Sequence, residues 1–310
     1  MSQKRSKLYY ILGGIAVLLF VGYYILFLFA PSGNEGAFTI KLEELRSRAG
    51  STEEGAENLP VSLNGLIIGE GQFPSAAIMA GQSLFQKTGL VFVSYQLNYA
   101  DGSQIIIDTA QDESLHNEFY EGQPFYSEHF AIMQEAMKKA RLIVATHEHV
   151  DHVGGIAQSP FLAEIKDQVR LTPEQINGPT IAAARFPDGW LAGLQPLEYE
   201  GVYRLAPGIA LQKAPGHSVG SQLVYIRLQN GKEYLFVGDI AWDMANIDQQ
   251  KGRPALVSWV FLQENRQQVA DQLVALHRFK EEHPEVRIIV AHDKADLEKL
   301  AEQGIGESFQ

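Results

Sequence analysis

The segment 146–152 carries the residues of this chain that are best suited to chemistry. It reads Thr-His-Glu-His-Val-Asp-His, in a chain with only nine histidines. The imidazoles of His147, His149 and His152 and the carboxylate of Asp151 therefore lie within six residues. Neutral imidazole and carboxylate oxygen are ligands that zinc prefers, and a loop can arrange them around a cation. The spacing predicts a metal site rather than a solvated histidine-rich turn.

Short apolar strands must position these side chains. Residues 142–145 read as a buried strand that ends directly before the motif. Upstream, residues 91–99 and 104–108 flank an Asp-Gly turn, which is typical of a β-hairpin. Ser127 is placed to cap a helix whose apolar residues recur three and four apart.

The second half of the chain repeats this alternation. The predicted strands are 209–213, 223–228 and 234–237. A helix over 264–282 ends before Pro284, and a buried strand over 286–291 follows. Strands with intervening helices, twice in succession, predict an αββα sandwich of two mixed sheets faced by helices.

The histidine-rich segment resembles the His-x-His-x-Asp-His signature of the metallo-β-lactamase superfamily. Three later segments resemble the remaining ligand turns of that superfamily, in the same order. They are Pro215-Gly216-His217, Val237-Gly238-Asp239 and Ala291-His292-Asp293. Each is a weak signal alone, but each follows a predicted strand. The resemblance covers essentially everything after the N-terminal apolar segment, from the strand end at residues 105–109 onward, and implies the metallo-β-lactamase fold.

Carried over residue by residue, the resemblance implies two Zn²⁺ ions per chain. The ligands would be His147, His149 and His217 for one ion, Asp151, His152 and His292 for the other, and Asp239 for both. Two such cations lower the pKa of a shared water, hold hydroxide at neutral pH and polarise a carbonyl. The resemblance thus makes Asp151 and Asp239 the expected catalytic residues, with Asp151 also passing a proton to the leaving group.

Two further positions are assigned by the same resemblance. Asp108 matches a position where a carboxylate orients a ligand imidazole, although a strand-end turn residue is an equal interpretation. Asp293 follows His292 and is not assigned to the site, since it is also placed to cap the next short helix. Trp242 lies three residues beyond Asp239, where N-acyl-homoserine-lactone lactonases have a tyrosine that holds the substrate carbonyl. An indole can only donate a hydrogen bond, so Trp242 is either a substrate contact or core.

These lactonases are the subgroup that the chain resembles most, through the run 268–293. True metallo-β-lactamases lack a bridging aspartate. Glyoxalase-II-type thioesterases append a helical domain, whereas 18 residues follow His292 here. The expected activity is hydrolysis of a lactone or ester, a small-molecule carbonyl substrate, by a metal-bound hydroxide. The remaining alternatives are a thioesterase or β-lactam hydrolase of the same fold, or a non-catalytic, membrane-tethered metal-binding or receptor domain.

An apolar groove for an acyl group is a further expectation from the aromatic residues of the loops. Phe125, Tyr126 and Trp190 are the candidates for lining it. Ordinary packing is the alternative role for all three.

The N-terminus is a separate physical unit. Residues 9–30 are uncharged and give a helix of ~33 Å, enough to cross a ~30 Å hydrocarbon core. Lys4, Arg5 and Lys7 precede this run, so the positive-inside rule predicts a single-pass anchor with a cytoplasmic N-terminus and a periplasmic or extracellular catalytic domain. A cleaved signal peptide is the alternative. The expected organisation is a cytoplasmic tip and transmembrane anchor (1–30), a tether and irregular segment (31–60) and the catalytic domain (61–310).

Composition excludes some classes of function. The net charge of −12 does not suit nucleic-acid binding. The chain has no cysteine, which excludes disulfides and thiolate ligands. The sequence does not specify the oligomeric state.

Overall fold

Two five-stranded sheets form the centre of the computed structural model, which describes residues 2–50 and 55–310. The first sheet contains, in spatial order, β1 (Pro60–Pro74), β2 (Lys87–Tyr99), β3 (Gln104–Ile107), β4 (Leu142–Val144) and β5 (Val169–Arg170). The second sheet contains β6 (Val202–Ala206), β7 (Ile209–Lys213), β8 (Gln222–Arg227), β9 (Glu233–Phe236) and β10 (Val286–Ile289), and each strand lies beside the next one in the sequence. Both sheets are mixed, because β3–β4, β4–β5 and β9–β10 pair in parallel.

Helices cover the outer faces of the sheets and connect their strands. The helices are α1 (Ser2–Tyr23), α2 (Leu42–Ala49), α3 (Ser75–Ile78), α4 (Glu113–Phe119), α5 (Ser127–Lys139), α6 (Val150–Ala157), α7 (Pro173–Asn177), α8 (Met244–Asp248), α9 (Ala255–Val257), α10 (Arg266–Glu282) and α11 (Lys294–Glu302). Two π-helical turns, Tyr24–Leu28 and Ser258–Leu262, follow α1 and α9.

Three apolar layers hold the fold together. Between the sheets, Leu97 and Ile107 of the first sheet are in one buried cluster with Leu211, Val224 and Phe236 of the second. Helices α5 and α6 pack on the outer face of the first sheet, and α2 and α10 pack on that of the second. Strands that are covered on both faces tend to be continuously apolar, because neither face needs the alternating polar residues that solvent would favour. The predicted αββα sandwich is confirmed.

The structure differs from the sequence prediction at two places. Ser127 begins α5, but the N-cap is Tyr126 and no side chain caps this helix. Within 31–60, which were expected to be irregular, α2 packs on the second sheet. Its buried Leu42, Leu45 and Ala49 recur at helical spacing, so they present one apolar face to the sheet.

One helix among the described residues is long and apolar enough to cross a membrane. It runs from Lys7 to Leu28 and none of it is buried in the domain. A signal sequence near the N-terminus can meet the same criteria of length and composition. The structure therefore establishes the helix but not its topology.

The strand ends that carry the motif residues meet at one edge of the sandwich. Helix α6 begins directly after the histidine motif and passes close to the chain beyond β3. A Cβ on Gly155 would lie 2.1 Å from the carbonyl oxygen of Thr109. Only glycine therefore allows α6 to approach the sheet this closely.

Candidate metal centre

Each of the seven candidate ligands follows a strand or lies in the turn between two strands. His147, His149, Asp151 and His152 lie between β4 and the first turns of α6, His217 between β7 and β8, Asp239 in the turn after β9, and His292 after β10. The structure brings them together in two groups of four that share Asp239. The groups are His147, His149, His217 and Asp239, and Asp151, His152, Asp239 and His292.

The two carboxylate oxygens of Asp239 face different groups. Its Oδ1 lies 3.0 Å from His152 Nε2 and 3.1 Å from His292 Nε2. Its Oδ2 lies 3.4 Å from His217 Nε2 and 3.8 Å from His147 Nε2. One carboxylate placed between two imidazole clusters has the geometry of a bridging ligand.

Several buried ligand atoms make no hydrogen bond of acceptable geometry among the described residues, although some lie close to one another. They include Nε2 of His147, Nε2 of His152 and Oδ1 of Asp239. A buried polar atom left unpaired costs about 1–3 kcal/mol, and three converging ones are poorly explained by packing. Cations between them would satisfy these atoms, and a set of imidazole and carboxylate donors suits zinc. The residues therefore fit a dinuclear metal centre.

The protonation states of two histidines also suit metal binding. Burial, followed by the charge of neighbouring imidazoles, holds the pKa of His147 and of His149 well below the usual value. Both are therefore neutral, which is the form that binds a metal.

Hydrogen bonds to Nδ1 orient three of the imidazoles. His152 Nδ1 lies 2.9 Å from Asp108 Oδ2, and His217 Nδ1 lies 2.9 Å from Glu264 Oε1. His292 Nδ1 lies 2.9 Å from the Val91 carbonyl oxygen. Such contacts fix the tautomer and point Nε2 at the metal position. Asp108 thus contacts the imidazole of a candidate ligand.

Asp108 has a second set of contacts that holds the motif loop. Its carboxylate accepts hydrogen bonds from the Thr146 amide at 2.7 Å and the Thr146 hydroxyl at 2.9 Å. Asp293, by contrast, caps α11 through the Asp296 amide, and it belongs to neither group of candidate ligands.

Glu264 and Arg253 form a buried ion pair behind His217 that sequence reasoning missed. Arg253 Nε donates to Glu264 Oε1 at 2.7 Å, and its guanidinium donates to the Asp239 carbonyl oxygen at 2.7 Å. Burial raises the pKa of Glu264, but the charge of Arg253 and the hydrogen bond with His217 lower it to about 2. The pair therefore connects a ligand of one group to the backbone of the shared aspartate.

Glu148, between two ligands of the motif, is a second residue that sequence reasoning missed. It is buried and accepts a 2.7 Å hydrogen bond from the Ser218 hydroxyl. Ser218 follows His217 directly, so this contact joins the two turns that supply the first group of ligands.

A cavity of about 580 Å³ opens onto the centre. His149, Asp151, Asp239 and His292 lie at its base. Its other walls are mainly apolar and include Phe73, Phe92, Phe119, Tyr120, Trp242 and Phe261.

The aromatic residues expected to line a groove lie elsewhere. Trp190 stacks on Phe186 at 5.1 Å, and the Tyr126 hydroxyl donates to Glu70. Phe125 packs against the outer core of the first sheet.

Trp242 lines the cavity, but its indole N–H already has a protein partner. It donates to Asp239 Oδ2 at 2.6 Å, and the ring meets His292 edge to face. Arg253 lies 4.9 Å from the ring. In this arrangement Trp242 orients the shared aspartate instead of offering its donor to the cavity.

Comparisons with known proteins find relatives in sequence and in fold. No family profile matches the chain. An N-acyl homoserine lactonase of Bacillus cereus is 30% identical over 176 residues, which are 50% of this chain and 66%, just under two thirds, of the relative. A crystal structure of a quorum-quenching N-acyl homoserine lactone lactonase superposes with a TM-score of 0.58 and 19% identity, covering 78% of this chain and 95% of that one.

A third relative is described as a dizinc quorum-quenching lactonase in complex with a product, N-hexanoyl-L-homoserine. It superposes with a TM-score of 0.53 and 14% identity, covering 76% of this chain and 90% of that one. The fold agrees with the expectation from the motifs, and the seven candidate ligands lie together in the structure. The chain has the metallo-β-lactamase fold, and its relatives in sequence and structure include metal-dependent lactone hydrolases.

Proposed function

We propose that the chain is a dinuclear-zinc hydrolase that opens lactones or cleaves related small esters. The observation that carries this proposal is the convergence of two four-residue groups on Asp239 at the base of an apolar cavity. The similarity to lactonases in sequence and fold supports the same reaction class. A scaffold that had lost catalysis would not need the complete ligand set.

The two groups would hold one zinc ion each, with Asp239 shared. Bound zinc would supply a Lewis acid for the carbonyl and a water of lowered pKa. Asp151 is the most exposed of the seven residues and lies at the cavity base. Its carboxylate is placed to orient the attacking water and then to pass a proton to the leaving alkoxide oxygen.

The cavity walls favour a neutral substrate with an apolar group. Among the described residues that line it there is no lysine or arginine, so a phosphodiester would find no cationic side chain to add to the metal ions. The volume of about 580 Å³ is typical of a site for a small molecule. Apolar walls suit an acyl chain and exclude water from the reacting carbonyl.

We propose that Tyr120 donates a hydrogen bond to the substrate carbonyl, since the Trp242 donor is occupied. Tyr120 lines the cavity beside Asp151 and Asp239, and its ring packs 4.5 Å from that of Phe92. Burial, followed by the charges of Asp151 and Asp239, raises its pKa well above the usual value. The group therefore remains a phenol that can donate.

Tyr120→Phe should lower kcat/KM for a lactone by about tenfold or more, because it removes a hydrogen bond that strengthens as charge develops on the carbonyl oxygen. The zinc content should not change. Tyr126→Phe is the matched control, since its phenol contacts Glu70 instead of the cavity. Equal kinetics for Tyr120→Phe and the unaltered chain would remove Tyr120 from the mechanism.

A hydrolysis screen of the full chain in detergent with zinc tests the reaction class. The substrates are lactones, esters, thioesters and β-lactams. Lactones or esters should exceed β-lactams by at least roughly two orders of magnitude in kcat/KM, about 2.7 kcal/mol of transition-state discrimination. Efficient β-lactam hydrolysis without lactone or ester turnover would contradict the substrate class.

We further propose that residues 9–30 anchor the chain as a single span, with the catalytic domain periplasmic or extracellular. The apolar helix and the preceding Lys4, Arg5 and Lys7 support this topology. An anchor that stays attached is supported by the contacts of Phe27 with the domain, where its carbonyl oxygen accepts from the Gly81 amide at 2.9 Å.

A further inference from the structure

The segment that follows the apolar helix packs directly on the catalytic domain. The Phe29 carbonyl oxygen accepts from Arg266, and the Ser32 carbonyl oxygen accepts from Gln267 at 3.0 Å. A Cβ on Gly33 would lie 2.1 Å from the Ala270 carbonyl oxygen, so only glycine permits this close approach to α10. Wherever the helix enters a bilayer, the adjoining face of the domain must lie at that surface.

That face carries apolar side chains that the domain does not bury. Trp259, Val260 and Phe261 of the π-helical turn Ser258–Leu262 are all more than half exposed. The Arg266 guanidinium lies 5.8 Å from the Phe29 ring and 5.7 Å from the Trp259 ring, so this turn lies beside the helix end. We call Trp259, Val260 and Phe261 the apolar turn.

A further exposed aromatic residue lies in the loop that contacts the helix end. Phe85 is 96% exposed, in the same loop as Gly81, whose amide bonds to Phe27. The loop of Phe85 and the apolar turn thus both flank the helix end, and exposed apolar groups gathered in this way mark a surface that is covered by a partner or a membrane. Here a candidate membrane span ends against the same surface.

The π-helical turn Ser258–Leu262 also contributes to the wall of the catalytic cavity. Val257, Phe261 and Leu262 line the cavity, whereas the side chains of Trp259 and Val260 do not. Within this turn, Phe261 and Leu262 line the cavity, whereas Trp259 and Val260 are exposed beside the end of the helix. A substrate that entered the cavity beside this turn would come from the face of the domain where the apolar helix ends.

We propose that the apolar turn and Phe85 insert into the leaflet in which the helix ends, and that the cavity takes its substrate from the bilayer. The substrate would be an amphiphilic lactone or ester with a long acyl chain. This inference rests on the proposed hydrolase function and membrane anchor, and it adds the substrate's lipid solubility and its route of entry.

The side chains present are those that interfaces favour. Tryptophan and phenylalanine partition into the boundary between head groups and acyl chains. Arg266, and Lys251 with its Nζ about 3.0 Å from where a Cβ on Gly81 would lie, would meet lipid phosphates at that depth. A long acyl chain dissolved in the leaflet would enter the cavity without passing through water.

The insertion is tested by site-directed labelling, which is clean because the chain has no cysteine. Val260→Cys and Val61→Cys each receive an environment-sensitive fluorophore in the full chain, reconstituted in phosphatidylcholine vesicles. Val61 is exposed at the start of β1. It lies roughly 40 Å along this strand from Pro74, the end that leads through α3 to the loop of Gly81 and Phe85. The label at 260 should shift to the blue and be quenched by lipids that carry a nitroxide near the head group.

The label at position 61 should report water and resist quenching. A label at 260 that behaves like the label at 61 would overturn the proposal. A blue shift at 260 without lipid quenching would also overturn it, since a protein partner, such as a second copy of the chain, would then cover the turn.

Turnover tests the substrate class separately. Val260→Asp should lower hydrolysis of a long-chain acyl lactone in vesicles by about tenfold, because a carboxylate opposes insertion. It should leave hydrolysis of the short-chain, water-soluble homologue unchanged, and Val61→Asp should change neither. If Val260→Asp affects both homologues equally, or neither, the bilayer route is wrong. If the unaltered chain hydrolyses neither homologue, the proposed function itself fails.

Discussion

Asp239→Ala should lower kcat/KM for lactone hydrolysis by at least about 10³-fold, because the site would lose its shared ligand. Each oxygen of this carboxylate faces a different pair of imidazoles, at 3.0 to 3.8 Å. Without it, the second group retains only Asp151, His152 and His292. The zinc content of the washed protein should fall from about two ions per chain to about one or fewer.

Asp239→Asn separates charge from volume. It fills the same space without the negative charge, so it should also lose zinc and activity. Asp248→Ala is the matched control, because this carboxylate pairs with Lys280 on the surface. Two zinc ions and full turnover in Asp239→Ala would show that Asp239 is not the shared ligand.

Arg253→Met should destabilise the metal-free protein by roughly 3–5 kcal/mol, the usual cost of leaving a buried charge without its partner. Arg253 and Glu264 are both fully buried and hydrogen bonded to each other. The effect would be read as a lower midpoint of thermal unfolding in detergent with a chelator, so that zinc binding does not contribute.

Two further variants isolate the cause. Arg253→Met combined with Glu264→Leu should recover much of the stability, because an apolar pair can replace a buried ion pair. Arg278→Met removes an exposed partner of Glu282 and should leave the midpoint unchanged. If Arg253→Met melts like the unaltered chain, the ion pair does not hold the fold around His217.

The candidate ligands were predictable because each lies beside a strand end and the motif is local. Three imidazoles and a carboxylate within six residues need no tertiary information to suggest a cation. The later ligands needed the resemblance, since a histidine after Pro-Gly or an aspartate after glycine is common. The order of strands and helices was sufficient for the sandwich.

The surroundings of the ligands were not predictable. Glu264 and Arg253 are 47 and 36 residues from His217 in sequence, and nothing local marks them as buried. Tyr120 was missed for the same reason, whereas Trp242 was noticed only through its position after Asp239. The indole N–H of Trp242 donates to Asp239 because the ring packs against His292. This contact joins the segments after two different strands, so only the fold specifies it.

Helix α2 was missed although its pattern is readable. Leu42, Leu45 and Ala49 form one apolar face, but glycine and proline on either side suggested an irregular tether. The close packing at Gly33 and the contact between Phe27 and Gly81 depend on partners far along the chain, so the rigid junction with the helix could only come from the structure.

A zinc titration of the metal-free full chain tests the central claim most directly. Lactone hydrolysis is measured while zinc is added in known equivalents. Activity should be absent without zinc and should saturate near about two equivalents per chain, because both groups must be filled to hold Asp239 between them. Lactone turnover at the full rate in the metal-free protein, or binding of less than about one equivalent of zinc, would contradict a dinuclear-zinc hydrolase.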